Sequence, residues 1–141
     1  MAGTRRQPLW SIALTAPMAA RIGPDARHAV IVAIKCIHSA AFFSIFGLIL
    51  LFTRDGIRGR STRRTATAAA IALAETAVYM SNNQVCPLTP LVEELGATSG
   101  TVTDIFLPDP ISRRIPTFSG AILIVGLALQ WRLWRARSAG A

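Results

Sequence analysis

The sequence predicts an all-α fold: a small transmembrane helical bundle with three spans, a fourth partial segment at the N-terminus left open, and a short amphipathic helix in an outer loop. Three observations predict it. Apolar residues make up 52% of the 141 positions and charged residues 16%, against roughly 25% charged in an average soluble domain. Long apolar runs recur along the chain. Arginines stand at the ends of those runs, so a net charge of +8 is segregated rather than spread over a surface. The size allows one compact unit, here a single membrane domain over 1–141.

Residues 1–28 open with Arg5 and Arg6, followed by an apolar run from Leu9 to Ala20 broken by Pro17. The pattern has features of a signal peptide, with Ala19 and Ala20 at the cleavage position, and Thr4-Arg5-Arg6 has the look of a twin-arginine start. Pro8 and the short apolar core argue against both. A dozen helical residues span only about 18 Å, short of a ~30 Å hydrocarbon layer. The segment is therefore expected to be interfacial or partly inserted, with Trp10 at headgroup level.

The first span is placed at 29–53. No formal charge occurs between Cys36 and Thr53, which is long enough for a transmembrane helix. Gly56 is the expected helix stop. The second span, 65–81, is made largely of alanine and interrupted by Glu75. Such a helix gains little from lipid and is expected to pack on its neighbours, through a stripe of Ala66, Ala70 and Ala74 at spacing four.

Residues 82–116 form a long patterned loop. Thr89-Pro90 predicts an N-cap with proline at the first helical position, opening a short amphipathic helix that Gly96 stops. Asp109-Pro110 predicts a one-turn helix through Arg114, and Ile105-Phe106-Leu107 between them is expected to touch the membrane or the bundle. The third span is placed at 117–134, where Trp131 and Trp134 interleave with Arg132 and Arg135 as an aromatic belt with snorkelling arginines.

Alternation of spans puts the 54–64 loop and the C-terminal tail on one side. Together they hold eight arginines against one aspartate, whereas 82–116 holds four acids and two arginines. The positive-inside rule then places the basic loop and the C-terminus in the cytoplasm and 82–116 outside, in a multi-pass membrane protein. With three spans the N-terminus, with its own arginines, lies outside. A fourth partial span over 9–22 would return Arg5 and Arg6 to the cytoplasm.

Lys35, His38 and Glu75 are the ionisable residues inside the spans, where each costs roughly 2.5–3.5 kcal/mol on insertion scales. Lys35 and His38 share a face by their spacing of three, and depth matching sets His38 within a turn of Glu75. A His38–Glu75 hydrogen bond is expected, either as a staple between helices or as an outward-facing polar site for a proton or a headgroup. No metal or cofactor is expected: His28 lies ten residues along the same helix and offers no second axial ligand. Cys36 and Cys86 lack paired-thiol spacing. A disulfide between them would need the chain to fold back in an oxidising compartment, and two unpaired buried thiols are the simpler reading. Nucleic acid is excluded as a partner because the basic residues flank apolar runs and line no aromatic-studded groove. The expected partners are the bilayer and either another protein or further copies of the chain.

Cys86-Pro87-Leu88-Thr89, with Glu93 downstream and His38 in an earlier helix, resembles the signature of an uncharacterised family of small multi-pass bacterial membrane proteins, over residues 30–130. This chain differs in Asn82-Asn83-Gln84 before the cysteine and in a longer loop after Gly96. The resemblance implies a membrane location and assigns no activity. Two functions remain in view: an accessory or structural subunit whose outer loop docks a partner, or a small membrane enzyme or carrier built on His38, Glu75 and Lys35.

Overall fold

The computed structural model describes residues 8–97 and 114–139. Their regular structure is all helical, without a strand, in five helices: α1 Ser11–Ala19, α2 Pro24–Ile57, α3 Arg63–Ser81, α4 Thr89–Glu94 and α5 Ile115–Ala139. Two of them, α2 and α5, are long and apolar enough to cross a membrane. At 34 and 25 residues they measure about 51 and 37 Å, against ~30 Å of hydrocarbon. Only 17% of the apolar window of α2 and 11% of that of α5 is buried inside the chain. Their large side chains point outward instead: Ile37, Phe43 and Leu50 on α2, and Phe118, Ile124 and Val125 on α5, are all exposed. The one-turn helix expected at 109–114 and the contact expected of Ile105-Phe106-Leu107 fall outside the described residues, apart from Arg114.

Each helix is longer than its expected span because caps and flanking charges extend it beyond the apolar stretch. Helix α2 starts at Pro24, whose fixed φ suits the first turn, with Asp25 beside the positive end of the helix dipole. It does not stop at Gly56. The stop is Gly59, at φ +68°, where the Arg60 amide donates to the Asp55 carbonyl (2.8 Å) and the Gly59 amide to the Gly56 carbonyl (3.2 Å). That pair of bonds is a Schellman motif, in which the left-handed residue is easiest as glycine. The same device closes α4 at Gly96, and it closes α3 at Asn83 (φ 58°), where the Gln84 amide reaches the Tyr79 carbonyl at 3.0 Å.

Contacts divide the chain into two compact units, and both α2 and α3 run through both of them. Of the described residues, the first unit holds 8–40 and 75–97. Its core is Ala19, Leu91 and Leu95, with Ile22, Val30, Ile31 and Ile34 packed around them. Helix α4 begins one residue earlier than expected: Leu88 occupies the cap position and makes no side-chain cap bond, while Thr89 and Pro90 lie in the first turn.

Of the described residues, the second unit holds 41–74 and 114–139, and its core is Ile49, Phe52, Ala68, Ala72 and Leu123. Here α2 and α5 run parallel. Thr53 Oγ1 donates to the Ile122 carbonyl at 3.2 Å, Gly56 abuts Leu129, and Gln130 Nε2 donates to the Arg60 carbonyl at 2.9 Å. The sequence numbers rise together along both helices. Helix α3 runs antiparallel to α2, and the turn between them is closed by side chains. Thr62 caps α3 through the Thr65 amide (3.2 Å), the Thr62 amide donates back to Thr65 Oγ1 (3.3 Å), and Thr65 Oγ1 donates to Asp55 Oδ2 at 2.8 Å. This is a capping box with threonine in the place usually held by glutamate. Thr62→Ala is expected to lower stability by about 0.5–2 kcal/mol, the usual range for a lost N-cap, read as an earlier thermal transition in detergent.

The buried face of α3 is Thr65, Ala68 and Ala72, whereas Ala66, Ala70 and Ala74 are exposed. The expected packing stripe is therefore displaced around the helix. Almost every residue of α3 is small, so alanine spacing leaves several faces equally fit to pack, and the Asp55–Thr65–Thr62 network sets which one turns inward.

Candidate functional site

In the first unit, α2 presents Lys35 and His38, both half-buried, and α3 carries Glu75 near its end. Beyond α3 the chain turns through Asn82, where the Val85 amide donates to the Asn82 carbonyl at 3.1 Å. This delivers Cys86 to α2, with Sγ 3.6 Å from His38 Nδ1. Among the described residues, Cys86 is the partner the structure gives His38. Glu75 is exposed on α3, yet close enough to Cys86 for its charge to act on the thiol; among the described residues His38 meets that thiol rather than making the expected hydrogen bond to Glu75.

Burial pushes the Cys86 thiol up, and the Glu75 carboxylate pushes the same way, while the backbone amides of Leu88 and Thr89 pull it down by a smaller amount. The net direction keeps the sulfur protonated at neutral pH. With the thiol protonated, the contact is a neutral S–H/imidazole pair whose donor is set by the His38 tautomer. A protonated, half-buried thiol is a poor nucleophile. Its alkylation by a small neutral reagent is expected to stay slow at pH 7 and to accelerate above the usual thiol range near pH 8.5; a rate already at its plateau at pH 7 would show that the thiolate is present. Cys36 and Cys86 are both free thiols, Cys36 on an exposed face of α2 and Cys86 half-buried. Among the described residues no three of His, Cys, Asp and Glu converge as metal ligands.

The densest polar cluster of this unit was not singled out from sequence. Asn82 is completely buried. Its Oδ1 accepts from the backbone amides of Leu9 (3.0 Å), Trp10 (3.2 Å) and Ser11 (3.3 Å). Its Nδ2 donates to Ser11 Oγ (2.8 Å) and to the Val85 carbonyl (2.9 Å). Helix α1 has no side-chain cap of its own, so its orphan amides are capped by a residue 71 positions away in sequence. Trp10 Nε1 adds a bond to Ser81 Oγ at 3.2 Å. One side chain thus joins the N-terminal helix, the end of α3 and the turn that carries Cys86. An asparagine just past a predicted span was the available signal.

Helix α1 is inverted relative to an amphipathic helix in water. Ser11, Thr15 and Ala19 are buried, while Leu9, Ile12, Leu14 and Met18 are exposed. Motif residues Pro87, Leu88, Thr89 and Glu93 are half-buried around Cys86 and the start of α4. Comparison with protein-family models, curated proteins and solved structures finds no match to this chain.

Proposed function

We propose that this chain is a multi-pass protein of a bacterial inner membrane that crosses the bilayer three times, on α2, α3 and α5, and serves as an accessory or structural subunit whose outer loop, 82–116, docks a protein partner. The observation that carries the reading is the parallel contact of α2 with α5, between outward-facing apolar surfaces. Two parallel spans need a return crossing between them, and α3, at 19 residues and about 28 Å, is the helix that supplies it. The positive-inside rule orients the bundle with 54–64 and the C-terminus in the cytoplasm. The Asn82 cluster supports the docking role, because it holds α1 and the Cys86 turn in one arrangement before any partner arrives, which lowers the ordering cost of binding.

In a Cys36→Ser/Cys86→Ser background, an impermeant maleimide added to intact spheroplasts is expected to label Glu94→Cys and to leave Ser61→Cys unlabelled until the membrane is opened. The reverse pattern would invert the topology, and equal labelling would remove it. Partner docking predicts a second protein that co-purifies in mild detergent at native expression and is lost on replacing Glu93 and Glu94; a chain that migrates alone under every mild condition contradicts it.

The inverted pattern of α1 supports a partly inserted N-terminal segment, with Leu9, Ile12, Leu14 and Met18 against acyl chains. With Trp131 and Trp134 replaced by phenylalanine, Trp10 fluorescence is expected to be quenched by lipids brominated on their acyl chains and spared by aqueous iodide. Quenching by iodide alone would place α1 in water.

The enzyme or carrier reading finds its support in the His38–Cys86 contact with Lys35 on the same face. It predicts that Glu75→Gln abolishes transport or turnover with folding intact. The exposed position of Glu75 favours the subunit reading, under which the same substitution leaves partner capture unchanged.

A further inference from the structure

The second unit brings together two basic segments that lie seventy residues apart. The first is the end of α2 with the following turn, carrying Arg54, Arg58, Arg60, Arg63 and Arg64. The second is the end of α5, carrying Arg132, Arg135 and Arg137. They are joined by the Gln130 Nε2 bond to the Arg60 carbonyl at 2.9 Å and by the close approach of Leu129 to Gly56. All eight arginines are exposed. Asp55, the one acid among them in sequence, is half-buried, and its Oδ2 is already engaged by Thr65 Oγ1 at 2.8 Å. Among the described residues no ion pair answers this charge.

The side chains also suit a phosphate rather than a diffuse counter-ion cloud. Arginine makes up fourteen of the fifteen basic residues, and its planar fork matches phosphate oxygens in a way that lysine does not. Arg54 and Arg58 share one helix face at spacing four, and Arg132 and Arg135 share another at spacing three. Beside the second pair, Trp131 and Trp134 form an exposed ring pair with centroids 4.9 Å apart. Exposed indoles at the end of an apolar helix sit at headgroup level, so the arginines interleaved with them meet the phosphate layer.

We infer that this joined basic end binds anionic phospholipid, and that its two arginine groups, one on α2 and its turn and one on α5, select a headgroup bearing two phosphates over a headgroup bearing one. The inference rests on the membrane reading above. It adds a lipid partner of defined chemistry to what orientation by charge alone would require.

The test uses the full-length chain reconstituted with a Trp10→Phe substitution, so that emission reports Trp131 and Trp134. Brominated phosphatidylcholine, brominated phosphatidylglycerol and brominated diphosphatidylglycerol are each titrated into a phosphatidylcholine bilayer. The expected result is an affinity for the two-phosphate lipid about fivefold or more above that for phosphatidylcholine, with phosphatidylglycerol between them. Arg60→Gln/Arg132→Gln is expected to bring the ratio towards one while leaving six arginines to orient the chain; Arg60→Lys/Arg132→Lys is expected to recover part of it. Equal preference for the two anionic lipids would overturn the two-phosphate selection. A ratio near one for the wild-type chain, or a ratio the glutamine pair does not move, would overturn the site. Suppression by added inorganic phosphate would assign it to a free anion instead of lipid. If no brominated lipid quenches the tryptophans, phosphatidylcholine included, the membrane reading itself has failed, and this inference falls with it.

Discussion

Asn82→Ala is expected to destabilise the protein by roughly 3–5 kcal/mol, because it removes five hydrogen bonds and leaves buried donors and acceptors unpaired. The amides of Leu9, Trp10 and Ser11 lose their shared acceptor, and Ser11 Oγ and the Val85 carbonyl lose their donor. Water cannot take over easily, since the side chain is fully buried. The first visible consequence is expected to be release of α1, seen as new protease cleavage near Arg21 and as loss of the lipid quenching of Trp10. Ser11→Ala provides a graded control: it removes one of the five bonds and is expected to cost about 1 kcal/mol. If Asn82→Ala melts within a degree of wild type in detergent, the cluster does not hold α1.

Gly126→Ala carries the second large effect. A methyl group at this position would meet Thr53 Oγ1 at 2.6 Å and the Phe52 ring at 2.7 and 2.8 Å. Closer than 3 Å something must shift, and because Phe52 is buried in the α2–α5 contact the expected shift is of the two helices, with strain on the Thr53–Ile122 bond at 3.2 Å. Overpacking of this kind costs about 1–3 kcal/mol, and valine should cost more than alanine. Close backbone approach through a small residue is a main source of helix association in lipid, where the hydrophobic effect between helices is absent. Gly120→Ala on the same helix is the matched control. Nothing lies within 4 Å of its added methyl, so the change should be neutral or slightly stabilising through helix propensity. Equal behaviour of the two variants would contradict the α2–α5 contact.

The all-α class and two long apolar helices were legible in composition. The uncharged run from Cys36 to Thr53 and the apolar stretch ending in the Trp/Arg pattern each correspond to a helix long and apolar enough to cross a membrane. The finer features were legible only in part. Gly56 looked like a helix stop, since glycine serves that role and also the role of close approach. The structure uses it for the second, against Leu129, and moves the stop to Gly59. On α3 the phase was invisible, because a helix of small residues has no unique apolar face.

The polar site shows the same division. His38 and the Cys-Pro-Leu-Thr turn belong to one resembled signature but carry no expected contact, and the fold brings them within 3.6 Å. Their meeting depends on a turn with two left-handed non-glycine residues, Asn83 and Gln84, which sequence patterns do not signal strongly. Asn82 stands in the sequence only as part of the Asn82-Asn83-Gln84 departure from the resembled signature, and its capping role is hidden for a related reason. In a chain expected to sit in lipid, attention goes to charges, whereas a neutral amide that can both accept and donate fits a buried junction at far lower desolvation cost.

The most direct test of lipid as the solvent for α2 and α5 is extraction of native membranes with alkaline carbonate, followed by sizing of the purified full-length chain with and without detergent. The protein is expected to stay in the carbonate-washed pellet and to aggregate once detergent is withdrawn. Recovery in the carbonate supernatant, together with a monodisperse peak in plain buffer, would contradict the account.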